Sequence, residues 1–431
     1  MAKQTDSNLQ NQIIYSVYVR CHTKEGTFAA VEGDLERIKK LGTDIIWFLP
    51  IHPIGEEGKK GTLGCPYANK DYRTTNPCYG TMEEFKHLVD EIHAQGMKCM
   101  IDVVYNHTAL DATLVTEHPE FYYRDEKGNF GNKIGDWADV IDLDYTNRKL
   151  WEYQAKSLAM WAELVDGFRC DVASFVPLEF WKYARAEVEK VNPDCIWLAE
   201  TVHRSFGAYA RREGFYSMRD TEAYEAFDLE YEYDIREEFE AYLKGETPLS
   251  HYADLLNFQE SVYPENYNKL RFLENHDTKR IYELIPKEQS LINLTAMLFY
   301  LKGTTLIYAG QEFVNDHTPS LFEKEPIDRN TGRDLSNLFA RLSEVKHQNL
   351  GAQDCFWAEA MDVENILIGT RENKKRKKKT VGIFSLLGNT ANVKVPLSDG
   401  AYVNLIDGRP VMVFAGMVLC KGWPIILEEK A

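Results

Sequence analysis

The chain has 431 residues, of which 44% are hydrophobic and 27% charged, the balance of a globular protein long enough for more than one domain. Its formal net charge is −17, which argues against nucleic acid and anionic membrane as partners. No apolar run is long enough to span a bilayer, the first residues are polar, and the eight cysteines form no Cys-x-x-Cys pair. These features predict reduced thiols and a cytoplasmic setting.

Taken in order, short apolar runs alternate with helical patterns. Strand-like runs fall at 13–19 and 44–50, with a helical pattern at 33–40 between them. A helix is predicted over 81–95, opened by a Thr81/Glu84 capping box and stopped by Gly96. A third strand follows at 97–104. The alternation then breaks over 108–147, a strand-poor, aromatic and acidic stretch that reads as a small inserted lobe. It resumes with a helix at 148–164, a strand at 166–173, a helix at 178–190 and a strand at 195–201. Further strands are expected near 224–231, 269–275 and 304–309. Eight apolar strands alternating with helices predict an α/β fold, a (β/α)8 barrel. From 348 onward short strands with Gly, Asn and Asp punctuation predict an all-β sandwich. The expected domains are a barrel over 1–347, carrying the lobe at 108–147, and a β-sandwich over 348–431. The basic run at 371–379 reads as a solvated hairpin tip.

In such a barrel, chemistry gathers at the C-terminal ends of the strands. Arg169 and Asp171, two apart on a strand, face the same way. Burying both is costly unless they pair, as a structural ion pair or as a guanidinium beside a nucleophilic carboxylate. The third strand ends in Asn106-His107, the fifth in Glu200, the seventh in Glu274-Asn275-His276-Asp277. Three carboxylates therefore converge with an arginine and two histidines. Their mutual repulsion favours a proton on the least solvated one while the arginine-paired one stays anionic. That division is what retaining glycoside hydrolysis requires.

Four motifs carry a resemblance: Asp102-Val103-Val104-Tyr105-Asn106-His107, Gly167-Phe168-Arg169-Cys170-Asp171, the Glu200 strand end, and Glu274-Asn275-His276-Asp277. In these, and in order from Tyr15 to the β appendix, the sequence resembles the α-amylase family of retaining α-glucan-active enzymes. The resemblance implies that Asp171 is the nucleophile, Glu200 the acid and base, and Asp277 the group that grips sugar hydroxyls together with His276. Arg169 would pair with Asp171 and be buttressed by Asp102. His107 would bind the primary hydroxyl, and Tyr67, in Tyr67-Ala68-Asn69-Lys70-Asp71-Tyr72, would stack on the sugar ring. The implied activity is hydrolysis of α-1,4-glucosidic bonds in maltodextrin or starch, with an α-glucan oligosaccharide as partner. A 4-α-glucanotransferase or an α-1,6- or sucrose-active relative would use the same residues. A non-catalytic relative would have lost the acid or the nucleophile, and both are present.

No cofactor is required by this chemistry. Many members of the family bind a structural calcium between barrel and lobe. Asn106 and Asp142 match two ligand positions, but the third is Phe175, whose ring cannot ligate, so no metal is expected. Asp136, Asp139, Asp142 and Asp144 read as a solvated acidic face; a rival calcium site would use Asp136, Asp139 and Asp144. The lobe is short, which predicts an open cleft and small or soluble substrates.

Overall fold

The computed structural model describes residues 5–135, 137–375 and 377–430. Eight parallel strands close into a barrel: β1 (Ile13–Val17), β2 (Ile45–Phe48), β3 (Lys98–Val103), β4 (Gly167–Cys170), β5 (Ile196–Ala199), β6 (Leu229–Tyr231), β7 (Lys269–Arg271) and β8 (Thr304–Tyr308). Each strand pairs with its neighbours in the chain, and β8 closes on β1. Helices cover the outside, so nearly every strand residue is buried, which is why the strands read as apolar runs. The register sets Arg169 of β4 beside Asp102 of β3 and Leu198 of β5. The expected capping box is present: Thr81 N–H donates to Glu84 Oε2 at 2.7 Å, and Glu84 N–H to Thr81 Oγ1 at 3.1 Å.

β6 and β7 are shorter than their apolar runs suggest. Asp220–Ala223 is helical, and β6 begins only at Leu229. After Arg271 the chain leaves the sheet, because Arg236 replaces the ladder. Its Nη1 donates to Phe272 O at 2.8 Å and its Nη2 to Leu273 O at 2.9 Å. The freed segment carries Glu274 to Asp277 over the barrel mouth. The lobe after β3 is not wholly irregular. His107–Ala109 and Val140–Asp142 form an antiparallel pair.

The last barrel helix is Ser336–Asn349. Beyond it lie β9 (Cys355–Met361), β10 (Ile366–Asn373), β11 (Lys378–Ser385), β12 (Thr390–Lys394), β13 (Gly400–Val403), β14 (Pro410–Val413), β15 (Met417–Lys421) and β16 (Ile425–Lys430). They form a sheet of order β9-β10-β11-β16 and two ladders, β12 with β15 and β13 with β14. An apolar core between them includes Ile368, Val381, Val393 and Val418. This unit docks on Tyr300, whose hydroxyl donates to Gly369 O at 2.9 Å and Thr380 O at 2.8 Å. A Cβ at Gly369 would come within 2.6 Å of that tyrosine ring, so the close approach requires glycine. Arg371 departs from the solvated-tip expectation. It is fully buried and donates to Tyr300 O at 3.0 Å and Gly351 O at 2.7 Å. The tip itself lies further along the basic run, where Arg376 falls outside the described residues. Among the described residues no helix is long and apolar enough to cross a membrane.

Candidate active site

Arg169 is the hub of the barrel mouth and has no solvent exposure. Its Nη1 donates to Asp102 Oδ1 at 2.9 Å and to Asp171 Oδ1 at 2.8 Å. Its Nη2 lies 2.7 Å from Glu200 Oε1, a contact of opposite charges rather than an aligned hydrogen bond. One planar fork thus faces three buried carboxylates, which a point-charge ammonium could not do. The sequence pairing of Arg169 with Asp171 is present, and the register adds Asp102 behind it.

The turn after Asp171 is strained. Val172 sits in the left-handed region at φ 35°, ψ 45°, a costly conformation for a β-branched residue. Phe175 N–H donating to Val172 O at 2.9 Å and Trp181 Nε1 donating to Ala173 O at 3.1 Å hold it there. The strained conformation accompanies a bond from Val172 N–H to Glu200 Oε2 at 2.7 Å. Both carboxylate oxygens of Glu200 therefore face a donor. The residue type of Val172 gives no hint of this role.

Tyr67 and His276 complete the floor. The Tyr67 hydroxyl donates to Asp102 Oδ2 at 3.0 Å and lies 2.7 Å from His276 Nε2, and the two rings stack at 5.4 Å. His276 Nε2 also lies 3.0 Å from Asp277 Oδ2. Asp277 opens into the cleft, its side chain 42% exposed. His107 Nε2 lies 4.0 Å from Asp171 Oδ2, and Trp137 of the lobe packs on its ring at 5.6 Å. Tyr67, His107, Asp171, Glu200, His276 and Asp277 all line one cavity of about 350 Å³, with Arg169 directly beneath. All seven residues expected from the sequence are thus brought together.

Two neighbours serve elsewhere. Asn275 donates to the Tyr233 hydroxyl at 3.2 Å and accepts from Asp277 N–H at 3.0 Å, which shapes the loop. Arg280 is buried against Glu274 at 2.6 Å and Ala309 O at 2.9 Å, tying the β7 loop to β8. Lys60, Trp137 and Phe322 also line the cavity. Sequence reading missed them because they lie on loops without periodicity.

The electrostatics separate the carboxyl groups. Burial raises Glu200 well above the usual carboxylate value, Arg169 opposes this, and Asp171 and Asp277 add to it. Burial would also raise Asp277, but His276 beside it wins and holds it below the usual value. Burial raises Asp102 to about 7 against the pull of Arg169. One carboxyl is thus suited to carry a proton while Asp277 stays anionic.

The residues at the expected calcium position do not fit that ion. Phe175 offers no side-chain ligand, though its backbone carbonyl could serve. The larger obstacle is Lys133, which lines the same cavity of about 200 Å³ as Asn106, Asp142 and Phe175. Its Nζ donates to Leu143 O at 3.0 Å and its backbone N–H to Asp142 Oδ2 at 2.7 Å. Asp142 Oδ1 accepts from Asn106 at 3.3 Å and from Asn132 at 3.4 Å. A cation is already built in, and the carboxylate is already engaged. Burial lowers Lys133 below its usual amine value, and Asp142 and Asp144 oppose that. Asp139 and Asp142 are buried rather than on a solvated face. Of the rival trio, Asp139 pairs with Lys60 at 2.9 Å, Asp144 accepts from Thr146 N–H at 2.9 Å, and Asp136 lies outside the described residues. Among the described residues no group of three or more His, Cys, Asp or Glu could hold a metal ion.

Known proteins resemble this chain in sequence and in fold. Residues 5–129 and 121–363 match the family model for the alpha amylase catalytic domain, and residues 358–427 match that for the bacterial alpha amylase C-terminal domain. A crystal structure of an α-amylase from Lactobacillus plantarum superposes with a TM-score of 0.95 at 42% identity, covering 98% of this chain and 100% of that one. The α-amylase MalA of Haloarcula japonica is 25% identical over 70% of this chain and 44% of its own length. An α-1,4-glucan:maltose-1-phosphate maltosyltransferase of Corynebacterium glutamicum is 31% identical over 43% of this chain and 30% of its own length. The chain thus spans less than half the length of these two curated relatives.

Proposed function

The chain belongs to the α-amylase family, and from that premise we propose that it hydrolyses α-1,4-glucosidic bonds in maltodextrins or starch fragments by a retaining double displacement. Asp171 attacks the anomeric carbon of the sugar seated against Tyr67 and His107. The bond to the leaving oxygen breaks as the β-glycosyl ester forms, and Glu200 gives that oxygen its proton. Glu200 then takes a proton from water, the water oxygen bonds the anomeric carbon, and the ester to Asp171 breaks. Two inversions return the α configuration. Asp277, with His276, grips the neighbouring hydroxyls and favours the oxocarbenium-like state. No metal or cofactor takes part in this scheme.

The observation that carries the reading is the shared fork of Arg169, with Asp171 at 2.8 Å and Glu200 at 2.7 Å from its two terminal nitrogens. It supports the reading by holding Asp171 and Glu200 side by side at neighbouring strand ends, while burial raises the Glu200 carboxyl above its usual value. Rates and products on maltoheptaose test it; an intact protein with no turnover would sink it. A second reading, 4-α-glucanotransfer, draws support from the likeness to the maltosyltransferase. It uses the same ester with a sugar in place of water. Maltotriose as sole substrate separates the two, since transfer makes longer oligomers early. Isomaltose, panose, pullulan and sucrose in the same panel test α-1,6 and sucrose specificity.

A further inference from the structure

We propose that the cleft is walled at its glycone end, so that the enzyme works inward from non-reducing chain ends and releases short products. This rests on the hydrolase reading above and adds the register in which the substrate is held. The leaving group departs on the side of the acid that protonates it. Glu200 stands at the end of β5, so the reducing-end portion of the glucan runs out over β5. The glycone points the other way, and in an eight-stranded barrel β1 lies four strands from β5 in either direction.

On that opposite side the loops are stitched together. Arg20, after β1, is 6% exposed and donates through Nη1 to Gly64 O at 2.9 Å and to Leu321 O at 3.0 Å. This pins the loop after β2 to the loop after β8. Leu63 N–H donates to Phe322 O at 3.1 Å. Glu323 accepts from Thr62 N–H at 2.8 Å and also from the Thr62 hydroxyl. From the lobe, Asp139 pairs with Lys60 at 2.9 Å. Three barrel loops and the lobe thus form one continuous rim. Lys60 and Phe322 of that rim line the same cavity as Asp171 and Asp277. The cavity's 350 Å³ is at the low end for small-ligand sites. A long glucan threading past the nucleophile would have to part the rim, whereas a short glycone ends against it. The short lobe therefore does not leave the cleft open on this side; the loops after β2 and β8 reach it.

The test compares 4-nitrophenyl α-maltoheptaoside with the same compound capped by a 4,6-O-ethylidene group on its non-reducing sugar, with products read by chromatography. The wild-type enzyme is expected to cleave the capped compound about tenfold or more slowly. Glu323→Ala removes the bonds to Thr62 from outside the cavity. It is expected to narrow that gap several-fold while the uncapped rate stays unchanged. Equal wild-type rates on both compounds would overturn the wall. So would a gap that neither Glu323→Ala nor Lys60→Ala alters. Turnover of neither compound by folded protein would instead overturn the hydrolase reading, and this inference with it.

Discussion

Arg169→Lys probes how the site is held together. Asp102 Oδ1, Asp171 Oδ1 and Glu200 Oε1 lie 2.9, 2.8 and 2.7 Å from the two terminal nitrogens of the guanidinium. Lysine offers a single nitrogen, so at least one buried carboxylate loses its cation. Leaving such a charge unpaired costs about 3–5 kcal/mol. The chain can escape part of that cost by protonating the orphan, and Asp102 is the first candidate. Burial already raises it from 3.8 to about 7 with the arginine in place. A carboxyl whose folded value lies above its unfolded value supports the fold fully below the unfolded value. That support is lost as pH rises through the folded value. Removing Arg169 raises the folded value further. The stability deficit of Arg169→Lys should therefore be smallest near pH 4 and widen toward about 3–5 kcal/mol above pH 7. Urea melts of both proteins at pH 5 and pH 8 measure it. Turnover should fall about 10²-fold where the variant is still folded, because Asp171 and Glu200 are no longer held in register. A deficit equal at both pH values, or none at all, would refute the reasoning.

Asp171→Asn and Glu200→Gln are each expected to lower turnover of maltoheptaose by about 10²–10⁴-fold or more with an unchanged circular dichroism spectrum. Near-wild-type rates in either would end the mechanism. The first-formed product should be the α-anomer by proton NMR, as expected for carboxyl groups about 5–5.5 Å apart; initial β-product contradicts it. Activity should survive prolonged EDTA, and the melting temperature should move little with added calcium, since the Lys133 amine already lies in the cavity between lobe and barrel and donates to Leu143 O. Loss on chelation with restoration by calcium alone would show that Lys133 does not take that place.

The barrel was legible because parallel strands buried on both faces are mostly apolar, while the loops between them are not. The same rule overextended β7, since Phe272 and Leu273 are apolar but give their carbonyls to Arg236 instead of a neighbouring strand. Tyr67, His107, Arg169, Asp171, Glu200, His276 and Asp277 stood out because ionisable and polar groups at apolar strand ends and motif positions need a reason. What stayed hidden depends on contacts between distant loops. Nothing about a valine announces the left-handed turn at Val172. Lys133 reads as one more polar lobe residue until its ammonium is found against Leu143 O. Lys60 and Asp139 lie on separate loops with no shared pattern. Arg371 opens a basic run that looks solvated, yet three-dimensional packing gives it two carbonyls to hold.

The central claim, that Asp171 carries the glycosyl group while Glu200 handles the proton, is met most directly by one experiment. Glu200→Gln is mixed with α-maltotriosyl fluoride, whose fluoride leaves without acid help, and the quenched protein is digested for mass spectrometry. The variant forms the ester but has no base to activate water, so the peptide containing Asp171 should gain one maltotriosyl mass. The label on another residue, or its absence while fluoride is released, would contradict the account.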